Sequence, residues 1–381
     1  MNLRKFFRQI RAIQLLSSIK ITVTCLSLLF FLTLTGTIDQ VNNGLYHAQE
    51  NYFYSLGFLM FGFLPFPGAQ LVLWSLFINL LCVTITRFVF NWSRIGILII
   101  HFGLLSYFVA AFVTFYTTKE SNLTLMEGAG SNVSSAYREW ELSVWEKKAG
   151  AEKNIVNAVD LKNITAGTTL DLEKFGLKIS VHAYYPNSEA YVNKDKEADK
   201  KLINASDIQS LKNIPFIVKE PEKNFPGAVL HVETKEAAAG DLLLYGGETK
   251  ATELKTPKHN YAFQLRRKRS PLPFLLTLKD FKMEVHPNTT TARSYQSLVE
   301  IKDNEVGREV LISMNHPLRY KDFTFYQASY SIDAMGREIS TLAVVENFGR
   351  LLPYISCFIT FAGLATHFFL MAVFKRERHT V

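Results

Sequence analysis

Residues 95–116 read IGILIIHFGLLSYFVAAFVTFY, 22 positions without one Asp, Glu, Lys or Arg. At about 1.5 Å per helical residue that run reaches across ~30 Å of hydrocarbon. Three others match it: ITVTCLSLLFFLTLTGTI (21–38), AQLVLWSLFINLLCVTIT (69–86) and LLPYISCFITFAGLATHFFLMAVF (351–374). A long basic leader precedes the first run, and GTIDQ follows it with no small-x-small cleavage site, so the run reads as an anchor. The quoted stretch also carries His101. An imidazole in hydrocarbon costs free energy unless something binds it, so His101 is the first candidate functional residue.

Charge orients the spans. The net charge of +8 invites a nucleic-acid reading until it is divided by segment. Arg4, Lys5, Arg8, Arg11 and Lys20 precede the first run, Arg87 and Arg94 lie between the second and third, and Lys375, Arg376 and Arg378 follow the fourth. Loop 39–68 holds only Asp39 and Glu50, and segment 117–350 is nearly neutral, with 32 basic and 31 acidic residues. Basic excess in alternate loops is the positive-inside pattern. Both termini and the 87–94 link are therefore expected in the cytoplasm, with 39–68 and 117–350 outside. Cys25, Cys82 and Cys357 all fall in spanning runs, so the outer segment has no disulfide and no CxxC pair, and the chain lacks the CxxCH of a c-type cytochrome.

The outer segment reads as β. Alternating or aromatic-rich runs recur between turn signals: WELSVWEK (140–147), TLDLEKFGLKISVHAYY (169–185), AVLHVETK (228–235), DLLLYG (241–246), FLLTLKDFKMEVH (274–286), SLVEIKD (297–303), REVLISMN (308–315), DFTFYQASYSI (322–332) and ISTLAVVE (339–346). PNTTT, DNEVG and DAMG supply turns. Residues 189–225, rich in charge and poor in apolar side chains, are expected as a loop or mobile insertion. The fold class is thus an α+β membrane protein with four transmembrane helices and a large extracytoplasmic antiparallel β-rich domain, a sandwich or barrel-like sheet. Its plan is a basic cytoplasmic N-terminus (1–20), a three-helix module (21–116), the β-rich domain (117–350), a fourth span (351–374) and a cytoplasmic tail (375–381).

His101 and His367 sit at similar depth on two spans, ~10 and ~11 Å from their cytoplasmic ends. They could ligate one iron together, or each could serve a different partner or simply bond a neighbouring helix. Ser356, Thr360, Gly363 and His367 form a small and polar stripe suited to contact with protein. Gly96, Gly103, Ser106 and Ala110 form a second stripe, roughly opposite His101. His47, His182, His231, His259 and His286 show no ligand spacing and are read as surface or strand positions. MNHPLRYKDFTFYQASY (314–330) reads as a core hairpin, with Arg319 and Gln327 open to facing a ligand carboxylate or a partner. RRKRS (266–270) reads as a solvated loop, or as a contact for anionic headgroups or haem propionates.

Several of these stretches together resemble the ResB family of system II cytochrome c biogenesis. LSSIKITVTCLSLLFFLTLTGTIDQ (16–40), FPGAQLVLWSLFINLLCVTITRF (66–88) and HFGLLSYF (101–108) are similar to its first three helices. PLPFLLTLKDFKMEVHPNTTTARSYQSLVEIKD (271–303) and ISMNHPLRYKDFTFYQASY (312–330) resemble its external stretch. The resemblance implies a bacterial inner-membrane subunit that works with a tryptophan-rich CcsA/ResC-like partner to export haem and attach it to apocytochrome c. It implies that His101 is an axial ligand to the iron of haem b, held transiently and shared with the partner. No family pattern assigns a role to His367, and no catalytic residue is implied, so the chain would be a subunit of a haem lyase rather than an enzyme alone. The resemblance implies that the tryptophan-rich haem-binding loop belongs to the partner; this chain has only Trp74, Trp92, Trp140 and Trp145, spread apart, so it is not expected to complete the ligation site alone. Two other functions stand beside this one: a b-type haem electron carrier using His101 and His367 together, and a membrane-anchored structural or sensory β-domain without haem.

Overall fold

Ile19–Asn43 (α1), Ala69–Arg87 (α2), Ile95–Thr117 (α3) and Leu352–Arg378 (α4) are the four long apolar helices. The computed structural model describes residues 10–87, 91–147, 155–191, 200–201, 208, 210–234, 240–289, 292–304 and 306–378. By length and composition all four helices are able to cross a membrane. Arg4, Lys5, Arg8 and the last three residues of the expected tail lie outside the described residues. The chain divides into a helical unit (1–119, 321–323 and 346–381) and a β unit (120–320 and 324–345).

In the helical unit, Ser18 accepts from the Lys20 N–H at the start of α1, and Gly44 ends the helix with φ near 85°, a conformation that suits a residue without Cβ. Loop 39–68 is more structured than its composition announces. A short helix (Leu45–Ala48), a π-helical turn (Gln49–Phe53) and a hairpin of Gly57–Met60 with Leu64–Pro67 fold back onto α1 and α2. Tyr52, Met60, Ala69, Val72 and Leu32 form the buried centre of that packing.

The β unit holds ten principal strands: Lys119–Met126 (β1), Gly130–Glu146 (β2), Leu177–Tyr185 (β3), Gly227–Thr234 (β4), Gly240–Tyr245 (β5), Asn260–Val285 (β6), Ala292–Asp303 (β7), Val306–Ser313 (β8), Phe323–Ile332 (β9) and Glu338–Glu346 (β10). One ten-stranded sheet runs β8-β7-β6-β2-β1-β10-β9 and ends on Leu318–Tyr320, with Val156–Asp160 and Thr252–Lys255 joining at β2 and β6. A second sheet runs β5-β4-β3 and ends on Thr169–Leu172. The core lies between them. Leu142 and Val144 from β2 and Tyr261, Phe263 and Leu265 from β6 meet Ile179, Val181, Leu230, Val232, Leu242 and Leu244 of the second sheet. Period-two alternation puts these residues on inner faces, and burying them is the main stabilising contribution.

Two sequence expectations are corrected here. Within 189–225, read as a loop, Ser188–Tyr191, Lys200–Lys201 and Ser210–Asn213 form a three-stranded sheet, although 192–199, 202–207 and 209 lie outside the described residues. Its Leu211, with Ile208, covers Leu243 on the outer face of β5, so a charged segment is anchored by very few apolar residues. RRKRS is not a loop but the middle of β6, a strand of 26 residues.

Candidate functional site

α3 is continuously apolar, and its close neighbour is α4. A Cβ at Gly96 would lie 2.5 Å from the His367 backbone nitrogen, one at Gly103 2.8 Å from that of Thr360, and one at Gly363 2.7 Å from that of Ile100. Both small-residue stripes therefore mesh, in antiparallel register, so that two backbones touch. Ser356 is buried on the same line.

That mesh decides where His101 points. Five residues from Gly96 is about 140° around the helix, so His101 faces away from α4. Phe108 and Phe112, seven and eleven residues on, share its face within about 20°. Their rings meet α2: Trp74 stacks on Phe112 at 3.8 Å, and Phe77 lies 6.0 Å from Phe108. His101 thus occupies the α2-facing side of α3 and is partly exposed.

Its ring is oriented. Nδ1 lies 2.8 Å from the Ile97 carbonyl, one turn earlier. A carbonyl only accepts, so Nδ1 carries the proton and donates. In the neutral imidazole Nε2 then holds a lone pair, and among the described residues no group bonds it. A neutral ring with a fixed tautomer and a free lone pair is the state in which histidine ligates a metal.

The structure does not bring His367 to the same place. Its backbone packs on Gly96, on the far side of α3 from His101. Its Nδ1 is buried without a hydrogen-bond partner among the described residues, and its ring rests against Phe368. The neighbouring module has its own polar tie, which sequence reading missed. Buried Asn79 on α2 accepts from Thr22 Oγ1 at 2.7 Å and donates to the Leu16 and Ser18 carbonyls at 2.5 and 3.0 Å, holding the start of α1.

The other singled-out residues are mostly structural. Gln327 is buried, accepting from Ser297 Oγ at 2.7 Å and bonding Ser340 Oγ at 3.0 Å, so it stitches β7, β9 and β10 instead of facing a ligand. Arg319 is exposed. In β6, Arg266 pairs with buried Glu141 at 2.8 Å, and Lys268 bonds Asp160 at 2.8 Å and Glu139 at 3.2 Å. Arg267 lies 4.0 Å over the Trp140 ring, donates to the Glu222 carbonyl, and is brought down to about 10 by burial. These cations have partners on neighbouring chain segments, which is why a run that reads as solvated is half-buried strand. His259 pairs with Glu146 at 2.6 Å, and His47 contacts Asn51 at 2.9 Å. His286 sits at the end of β6, its carbonyl accepting from Thr289. His182 and His231, far apart in sequence, stack with ring centroids 5.2 Å apart.

The ResB-like family model matches residues 236–341, the stretch from β5 into β10. Over that stretch the chain is similar to the ResB-like family. Protein NrfI of Wolinella succinogenes is 33% identical over 96 residues, 25% of this chain and 10% of that protein. Cytochrome c biogenesis protein CcsB of Prochlorococcus marinus is 35% identical over 71 residues, 18% of this chain and 16% of that protein. The matches span about a tenth and about a sixth of those relatives. The ResB-like segment holds the basic part of β6 and the Gln327 network but none of the four helices, so His101 stands outside it.

Proposed function

We propose that this ResB-like chain is one subunit of a membrane complex that carries haem across the bilayer and attaches it to apocytochrome c. Haem is the cargo. The observation that carries this reading is the hydrogen bond from His101 Nδ1 to the Ile97 carbonyl, which leaves Nε2 to ligate iron from within a membrane-length helix. Ligation through Nε2 needs no proton loss and little reorientation, because the Ile97 bond already holds the ring. α4 occupies the opposite side of α3, and on the α2-facing side His101 stays partly exposed, so its ring is reachable by a second protein. The name of the CcsB relative and the partial identity to it, with the ResB-like match, support a biogenesis role.

His367 is not the second ligand in this reading; the packing of the His367 backbone on Gly96, on another side of α3 from His101, supports that choice. The second axial ligand comes from a tryptophan-rich CcsA/ResC-like partner. In this reading both termini and the 87–94 link face the cytoplasm, which the basic excess around the spans supports, and His101 lies nearer the side from which haem departs. The β unit stands outside, where it braces the partner and positions apocytochrome. Attachment adds a cysteine S–H across a haem vinyl group, and holding the two together supplies much of the rate.

The test is co-expression with the partner and a reporter apocytochrome c. His101→Ala is expected to lower covalent haem attachment by about tenfold or more, the scale of effects at metal-site residues. Unchanged attachment would remove the ligand role, and normal c-type cytochrome levels after deletion of the gene would remove the function itself.

A further inference from the structure

The outer face of β3, β4 and β5 gathers two histidines and a carboxylate. The pairing register sets His231 of β4 directly opposite Asp241 of β5 and Ser180 of β3. Between Val229 and Leu230 the β3–β4 register shifts, with Val229 opposite Ala183 and Leu230 opposite Val181, so His182 is the unpaired residue of a bulge. The phase change is visible in the core: Leu177, Ile179 and Val181 point inward at period two, and then Tyr184, not Ala183, resumes contact with it. A bulge re-aims a side chain, and here it turns His182 toward His231.

The donors converge. Asp241 Oδ1 lies 2.5 Å from His231 Nδ1 and 4.0 Å from His182 Nδ1, and one potential ligand atom from each residue lies within 4.8 Å of the others. Two imidazoles and a carboxylate form the donor set of mononuclear first-row metal sites. Ligands at about 2.0–2.1 Å from such an ion sit roughly 3.3 Å apart in tetrahedral geometry. The observed spacings bracket that value, so small side-chain rotations on a fixed backbone close the site. The strands supply the rigidity: Leu230, Val232, Leu242 and Val181, on the opposite face, are core residues.

We propose that His182, His231 and Asp241 bind one divalent first-row transition ion, with zinc as the reference metal, and leave a coordination position open to solvent. His182 is exposed and the other two half-buried, which provides access for a fourth ligand such as water or an exogenous imidazole. The site joins three strands of the β unit and lies apart from His101, so it stands whether or not the haem reading does.

The experiment uses full-length protein in detergent, stripped with EDTA and titrated with ZnCl2 by calorimetry, with thermal unfolding as a second readout. Wild-type protein is expected to take up one equivalent more than His182→Ala/His231→Ala, and zinc to raise its melting temperature but not that of the double variant. Asp241→Asn, nearly isosteric and within a backbone-paired strand, is expected to weaken binding by about tenfold or more while melting like wild type without metal. Equal zinc uptake by wild type and the double variant would overturn the proposal. So would an Asn variant that folds and binds as wild type does.

Discussion

Asn79 and His101 are both polar residues inside membrane-length helices, and their surroundings assign them opposite roles. Asn79 spends its donors and acceptor within the chain, on Thr22, Leu16 and Ser18. Asn79→Leu should destabilise the helical unit by roughly 1 kcal/mol, the usual scale of an interhelical hydrogen bond, checked by unfolding in mixed detergent. Asn79→Asp should cost more than that, because a carboxylate cannot donate to the two carbonyls. Among the described residues, His101 bonds the chain through Nδ1 alone. In the β unit the informative charges are Glu139 and Lys268. The hydrogen bond from Lys162, reinforced by Lys268 and opposed by partial burial, holds Glu139 below the ordinary carboxylate range. A depressed carboxylate stabilises the fold above its unfolded pKa, and that contribution is lost as pH falls through the folded value. Replacing both lysines (Lys162→Met/Lys268→Met) should therefore move the acid unfolding midpoint of the protein to higher pH. An unchanged midpoint would show that the pairs are too well solvated to contribute.

Among the elements, α3 and α4 make the sharpest packing prediction. Gly103→Leu puts a side chain where a Cβ already meets the Thr360 backbone at 2.8 Å, so the helices must separate. Loss of folded protein, read as lost protease resistance in detergent, is expected, whereas Phe102→Leu on the exposed side should be tolerated. That these faces contact protein was legible in the sequence, because Gly96 and Gly103, and Thr360 and Gly363, recur at helical spacing; that the two stripes meet each other was not. The strands from 274 onward were legible for a similar reason, since their alternation is local. The first half of β6 was not. Arg266, Arg267 and Lys268 are held by Glu141, Trp140 and Asp160 from neighbouring strands, and no window along the chain contains those partners. The hairpin at 57–67 was missed because FLMFGFLPF is apolar throughout and shows no alternation. His182, His231 and Asp241 were invisible as a group because a bulge and two strand registers, neither written in residue spacing, bring them together.

At the level of the whole molecule, four membrane-length helices and a β unit are distinct parts of one chain. The ResB-like match lies in the β unit apart from residues 321–323, while the proposed iron ligand lies on a helix, so the functional reading joins two regions supported by different observations. The charge distribution makes the arrangement testable. Reporter fusions at the C-terminus should report the cytoplasm, and fusions within 117–350 the opposite side; the reverse pattern would put His101 near the wrong face for haem departing from inside. The role of His101 itself is tested most directly by chemical rescue. In cells carrying the partner and a reporter apocytochrome c, His101→Gly should lose covalent haem attachment, and added imidazole should restore a substantial part of it by supplying the missing nitrogen. Attachment by the glycine variant at the wild-type level without imidazole would contradict iron ligation by His101.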